Sequence, residues 1–101
     1  MTASDALPAR LAALAAAGET VSYGALARDL GLRIVELTGA LEALMEEDAA
    51  SGRPFRAALC RSRLGDGLPA PGFFLKARAL GADIADPAAF TARERQRLTP
   101  R

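Results

Sequence analysis

The sequence predicts a single α+β domain that is mostly helical, and three observations favour this fold class. The chain has 101 residues, a length typical of one domain. Half of the residues are hydrophobic and a quarter are charged, which is the balance of a globular chain with a buried core. Apolar residues recur at helical spacing in several segments, and two short segments have the composition of strands. We expect the domain to span residues 1–98 and residues 99–101 to form a frayed tail.

Each predicted element rests on the spacing of its apolar residues and on the residues that stop helices. Leu7, Leu11 and Leu14 fall on one helical face, and Gly18 is a typical left-handed helix end. Ser22 follows a short β-branched stretch and is a typical cap for a second helix. In chain order we expect a helix from residue 5 or 8 to 17, an edge strand at 19–23, a short helix at 24–30, a longer helix at 34–50, a strand at 56–64, a loop at 65–72, a short helix from Phe73 to Leu80 and a last helix that begins at Pro87.

Two of these elements carry a further expectation. Gly39 lies inside the helix at 34–50 and costs ~1 kcal/mol relative to Ala, so we expect a neighbouring helix to approach closely there. The last helix has two candidate starts. Asp86 and Pro87 are a typical cap and first residue, whereas Thr91 and Glu94 could form a capping box that starts the helix later.

Composition excludes most catalytic chemistry. The chain has no His and no Trp, and Cys60 is its single Cys, so a His-dependent triad, a Cys and His zinc site and an internal disulfide are excluded. No apolar run is long enough to cross a membrane, and Asp5 and Arg10 make the N-terminal segment a poor signal peptide. Arg outnumbers Lys twelve to one, which we attribute to a GC-rich bacterial genome. We expect a cytoplasmic protein that is not an enzyme and has no catalytic residue, metal or cofactor.

The order of the elements indicates a winged helix. A strand, a short helix, a glycine turn and a longer helix make a helix-turn-helix unit, beside which a small sheet of two or three strands would pack. The local signature is the run from Val21 to Gly31, which places the strand, the cap, the first helix and its terminating glycine within eleven residues. Such a run is moderately specific for the fold and does not specify a function.

The same run resembles a known family. Val-Ser-Tyr-Gly-x-Leu-Ala at 21–27, followed by a glycine turn and a second helix, resembles the winged-helix DNA-binding domain of the alkylguanine-DNA alkyltransferases and the alkyltransferase-like proteins over residues 19–64. In the alkyltransferases a Pro-Cys-His-Arg motif follows the second helix, with Cys as methyl acceptor and His as its activator. Here Pro-Phe-Arg stands at 54–56, so the resemblance implies DNA binding without alkyl transfer. The Pro-x-x-Gly-Phe-Phe run at 69–74 is also similar to small uncharacterised bacterial winged-helix proteins, over residues 19–81.

Basic residues concentrate in the segment 51–81, which carries a charge of +5. Two of them, Arg61 and Arg63, lie near the end of the predicted strand, where they could contact phosphates as the wing of a winged helix does. The alternative is a solvated strand edge that resists aggregation. The candidate DNA contacts in this segment are Arg53, Arg56, Arg61, Arg63 and Lys76.

Acidic residues concentrate in the preceding segment, 29–48, which carries a charge of −5. Carboxylates in the major groove face phosphates on both sides, which opposes base reading by the helix at 34–50. Recognition helices use their N-terminal turns, however, and there Arg33 and Thr38 are candidate DNA contacts.

Two functions stay open at this point. A small DNA-binding regulator or accessory protein would bind double-stranded DNA through its basic segment. A protein-interaction or oligomerisation module would keep the winged-helix fold and use its opposite charges to bind itself, as a homodimer, or another protein. The two charged segments could also neutralise each other within one molecule, where exposed pairs contribute only ~0–1 kcal/mol each.

Overall fold

The computed structural model describes residues 3–100, and the side chains of residues 5–100. Within these residues the chain is mostly helical with one small sheet, which confirms the α+β class. Met1, Thr2 and Arg101, which belong to the predicted domain and tail, lie outside the described residues. The elements are a 3₁₀ helix Ala3–Ala6, α1 Leu7–Ala17, β1 Val21–Ser22, α2 Tyr23–Leu30, α3 Ile34–Ala50, a 3₁₀ helix Arg56–Leu59, β2 Cys60–Arg61, α4 Pro71–Ala79 and α5 Pro87–Leu98.

The helix ends follow the local signals in the sequence. Gly18 and Gly31 end α1 and α2 with φ of 69° and 68°, a conformation that glycine adopts without a Cβ clash. The hydroxyl of Ser22 accepts a hydrogen bond of 3.2 Å from the amide of Ala25 and caps α2. The first helix differs slightly from the prediction, because a 3₁₀ turn precedes it and α1 itself begins at Leu7.

The last helix begins at the earlier of its two candidate caps. The carboxylate of Asp86 caps the first turn of α5, and Pro87 is its first residue. The later capping box is wrong, because Thr91 donates to the carbonyl of Pro87 at 2.8 Å and Glu94 accepts from the amide of Phe55 at 3.1 Å. Both side chains are therefore used inside the helix, where they are buried.

The predicted strand at 56–64 is wrong over most of its length. Arg56–Leu59 is a 3₁₀ helix, and only Cys60–Arg61 is a strand. A strand would turn alternate side chains outward, whereas Ala57, Ala58 and Leu59 are all buried, and a tight helical turn satisfies that burial. The edge strand at 19–23 is likewise reduced to two residues. β1 and β2 pair in parallel, with Val21 opposite Cys60 and Ser22 opposite Arg61.

Two smaller expectations also change. The predicted loop at 65–72 is shorter, because Pro71 and Gly72 form the first turn of α4, where proline is well tolerated. The prediction that a neighbouring helix approaches Gly39 closely is wrong, since a Cβ at that position would meet nothing within 4 Å. Gly39 is an exposed residue on α3. The helix at 34–50 is confirmed as α3.

The core lies between α1, α3, α5 and the 3₁₀ helix Arg56–Leu59. Phe55 packs edge-on against Phe73 and Phe90, with ring centroids 6.2 and 6.3 Å apart. Phe73 is buried and Phe74 only partly so, because adjacent residues of a helix point in different directions. In the described part of the chain, no helix combines the length and apolarity needed to span a membrane.

Candidate nucleic-acid interface

The acidic and basic segments meet at Asp48, whose side chain is fully buried at the end of α3. Its carboxylate accepts hydrogen bonds from the backbone amide of Arg56 at 3.0 Å and from the Nε of Arg56 at 3.0 and 3.2 Å. Nη2 of Arg56 lies 2.8 Å from Oδ1 but is not aligned for a hydrogen bond. Nε of Arg53 lies 3.8 Å from the same oxygen. We call Asp48, Arg53 and Arg56 the Asp48 hub.

Two further candidate contacts are also ion-paired. Nζ of Lys76 donates to Glu46 at 2.6 Å, and this hydrogen bond raises the pKa of Lys76. Nε of Arg33 lies 3.2 Å from Glu36, whose carboxylate also accepts from the amide of Arg33 at 2.8 Å. These bonds to Arg33 lower the pKa of Glu36. Both pairs are partly or largely exposed, so each contributes little to stability and can be opened by another anion.

Arg61 and Arg63 differ from these residues because neither forms an ion pair in the described part of the chain. Arg61 is half-buried in β2 opposite Ser22, the cap of α2. Arg63 is exposed, and its Nη2 lies 3.8 Å from the point that a Cβ on Gly24 would occupy. The backbone of Arg61 and the guanidinium of Arg63 therefore both lie at the start of α2, and no carboxylate of the described residues is bound to either.

A third arginine of this region, Arg95 of α5, was missed by the sequence analysis. Its Nε donates to the carbonyl of Ala58 at 2.7 Å, and its Nη2 donates to the carbonyls of Gly67 at 2.8 Å and Cys60 at 3.4 Å. Burial lowers the pKa of Arg95, and the nearby charge of Arg61 lowers it further. We call Arg61, Arg63 and Arg95 the β2 arginine cluster.

An apolar groove of about 220 Å³ is lined by residues of α2, α3 and α4. Tyr23, the first residue of α2, and Ile34, the first residue of α3, both line it, so the N-terminal ends of two helices meet there. Thr38 also lines the groove, and its hydroxyl donates to the carbonyl of Ile34 at 3.0 Å. The hydroxyl of Tyr23 accepts a 3.0 Å hydrogen bond from the amide of Ala70, and burial raises the pKa of Tyr23 to about 12.

The structure thus divides the seven predicted DNA contacts. Arg53 and Arg56 come together on Asp48, and Lys76 is held separately on Glu46. Arg61 and Arg63 lie at the start of α2, whereas Thr38 lines the apolar groove and Arg33 is the N-cap residue of α3.

The cysteine is unsuited to nucleophilic chemistry. Cys60 is fully buried, and burial raises the pKa of its thiol to about 12, so the thiolate is scarce near neutral pH. No group of three or more His, Cys, Asp or Glu side chains that could hold a metal ion occurs among the described residues. Comparisons with models of protein families, with curated proteins and with solved structures found no match for this chain.

Proposed function

We propose that the chain is a small, non-enzymatic winged-helix protein of the bacterial cytoplasm that binds duplex DNA. Support for the proposal comes from the β2 arginine cluster: among the described residues none of its three arginines is ion-paired, and the charge of Arg61 is near enough to lower the pKa of Arg95. Phosphate contacts supply most of the salt-dependent affinity of DNA-binding proteins, and arginine binds phosphate in a forked geometry. Arg61 and Arg63 are the proposed phosphate contacts.

The acidic residues of α3 oppose this proposal less than their number suggests. Within the described residues, Glu36, Glu46 and Asp48 are ion-paired with cations of the same molecule, whereas Glu42 and Glu47 are not. The N-terminal turns of α3 are also open, since Ile34 is 53% and Val35 is 69% exposed. We propose that these turns approach the DNA, with Arg33 and Thr38 facing it.

In the proposed complex, the turn after β2 takes the place of the wing. A wing is usually an antiparallel hairpin, whereas β2 pairs in parallel with β1 and leads into a turn. That turn is closed by a 2.7 Å hydrogen bond from the amide of Ser62 to the carbonyl of Leu68. It carries Arg63 on its exposed side, which is the position that a phosphate contact requires.

Fluorescence anisotropy with a labelled duplex of mixed sequence, titrated at low and moderate salt, tests the proposal. Wild-type protein is expected to bind, with an affinity that falls steeply as salt rises. The charge-reversed pair Arg61→Glu and Arg63→Glu should abolish binding. A matched pair, Arg78→Glu and Arg93→Glu, changes the net charge equally at two exposed arginines outside the cluster and should retain most of the affinity.

Two results would argue against DNA binding by this surface. The first is wild-type protein that leaves the anisotropy unchanged at low salt. The second is an equal loss of affinity in both charge-reversed pairs, because net charge alone would then explain the binding. Circular dichroism of each variant shows whether its helices are intact.

A second candidate function, self-association, is favoured by one apolar surface. Leu64 and Leu75 are 72% and 63% exposed, and both line a groove of about 340 Å³ together with Phe74. Because each molecule offers both protruding leucines and a groove, the surface can pack against a second copy of itself. Sedimentation velocity should then show a dimer that Leu75→Glu dissociates. A wild-type monomer at high protein concentration would exclude this candidate.

A further inference from the structure

The turn that carries Arg63 is joined to the helices by few hydrogen bonds. Three bonds hold it internally: Ser62 amide to Leu68 carbonyl, Leu64 amide to Ser62 hydroxyl and Leu68 amide to Asp66 carboxylate. Among the described residues, the one hydrogen bond from the turn 62–68 to a helix is that from Arg95 to the carbonyl of Gly67. The position of the turn therefore depends on a side chain of α5.

The same guanidinium also holds the chain on the other side of β2. Nε of Arg95 donates to the carbonyl of Ala58 at 2.7 Å, while Nη2 donates to Gly67 at 2.8 Å. Ala58 precedes β2 and Gly67 follows it, so a single forked side chain spans the strand that contains Arg61. Lysine has one donor group on a flexible stem and cannot reproduce this fork.

We infer that Arg95 is a positioning residue for DNA binding, which acts by fixing the backbone that carries Arg61 and Arg63. This inference rests on the proposed function. A residue already held in its bound position loses less conformational entropy when it contacts a phosphate. Without the fork, the turn samples more conformations, and both phosphate contacts weaken together although neither arginine has changed.

A charge-matched substitution separates position from charge. Arg95→Lys keeps the positive charge and removes the fork, and it should lose half or more of the affinity that Arg61→Ala and Arg63→Ala lose together. Arg93→Lys, on the same helix and at an exposed site, is the matched control and should bind as the wild type does. Wild-type affinity in Arg95→Lys would overturn the inference, because the charge alone would then suffice.

A double-mutant cycle separates positioning from direct contact. In a chain that already carries Arg61→Ala and Arg63→Ala, adding Arg95→Met should cause no further loss of affinity and no further change in the salt dependence. A further decrease of about one unit in the slope of log K against log salt would show that Arg95 itself binds a phosphate. That outcome also overturns the inference.

Trypsin provides a readout that needs no DNA. Cleavage after Arg61 and Arg63 should be faster in Arg95→Lys than in the wild type, whereas cleavage after Arg78 in α4 should be unchanged. Urea unfolding of both proteins shows whether a general loss of stability explains the difference. Unchanged cleavage overturns the inference whether or not DNA binds. If cleavage is faster in Arg95→Lys but the wild type does not bind DNA, the role of Arg95 in DNA binding is overturned. Arg95 then only holds the turn in the folded chain.

Discussion

The Asp48 hub and the β2 arginine cluster are both built from arginines of the basic segment, yet their partners differ. In the hub, a fully buried carboxylate accepts hydrogen bonds from Arg56, whose side chain is 19% exposed. In the cluster, the guanidinium of Arg95 is bound by carbonyl oxygens, and Arg61 and Arg63 have no ion partner among the described residues. The arginines of the hub share one buried carboxylate, whereas those of the cluster have no carboxylate partner among the described residues.

This difference shows what a charge count along the chain omits. The segments of −5 and +5 suggested two oppositely charged faces. In the structure, some of these opposite charges pair within the molecule, because Asp48 pairs with Arg56 and Glu46 pairs with Lys76. The arginines available to a partner are those that no acid of the same chain reaches. Availability thus depends on tertiary packing rather than on local composition.

The largest effect is expected at the hub, on stability. Asp48→Ala leaves the covered guanidinium of Arg56 without its anion and should lower the free energy of unfolding by about 3–5 kcal/mol. Urea unfolding followed by circular dichroism measures this change. Asp29→Ala, which removes an exposed carboxylate 3.3 Å from Arg10, is the control and should cost no more than about 1 kcal/mol. Equal effects of the two substitutions would show that the hub is no more than a surface pair.

The next expected effect separates the two groups of arginines by their DNA affinity. Arg61→Ala should reduce the slope of log K against log salt by about one unit, which corresponds to one lost phosphate contact. Arg53→Ala should reduce that slope less, because the carboxylate of Asp48, 3.8 Å from Nε of Arg53, competes with phosphate for this guanidinium. Anisotropy titrations at several salt concentrations measure both slopes. If Arg53→Ala reduces the slope as much as Arg61→Ala does, the comparison between the two groups fails.

Sequence patterns predicted the helices of both regions well, because helix signals are local. The extent of α3 and the cap at Asp86 agree with their sequence signals. The predicted strand at 56–64 failed because burial of Ala57 and its neighbours on all sides is a tertiary requirement that overrides alternation.

The candidate site was only partly predictable for the same reason. Arg61 and Arg63 stood out by their spacing near the end of a strand. Arg95 gave no signal, since its carbonyl partners Ala58 and Cys60 precede it by 37 and 35 residues. A single sequence has no feature that connects a guanidinium in the last helix to carbonyls so far along the chain.

A smaller effect on stability is expected at high pH, where the side chains of Cys60 and Tyr23, at and next to the two strands, ionise. Burial raises the pKa of Cys60 from 9.0 to about 12 and that of Tyr23 from 10.0 to about 12. Both groups are therefore neutral in the folded chain at pH values where the unfolded chain has already lost these protons. Their contribution to stability is complete below pH 9 and is lost as the pH rises through the folded pKa values near 12.

Urea unfolding between neutral pH and pH 11 checks this dependence. Tyr23→Phe removes one of the two ionising groups, so its stability should fall less steeply with pH than that of the wild type. The hub contains neither group, and Asp48→Ala should show the wild-type pH dependence at a lower absolute stability. A wild-type stability that stays constant above pH 9 would contradict the assigned burial of both side chains.

The smallest effect is expected at Gly39 of α3, which does not line the apolar groove that contains Thr38. A Cβ at this position would meet no atom within 4 Å, and its φ is not in the left-handed region. Gly39→Ala should therefore raise the free energy of unfolding by up to about 1 kcal/mol, because alanine loses less backbone entropy in a helix. Gly31→Ala is the opposite control. Gly31 has a φ of 68°, which strains an alanine, so this substitution should destabilise the chain.

The DNA affinity of Gly39→Ala distinguishes which face of α3 meets the duplex. It should equal that of the wild type if the helix approaches DNA through the side that carries Thr38. A marked loss would mean that the opposite face is inserted closely, and the cluster would then be a secondary contact.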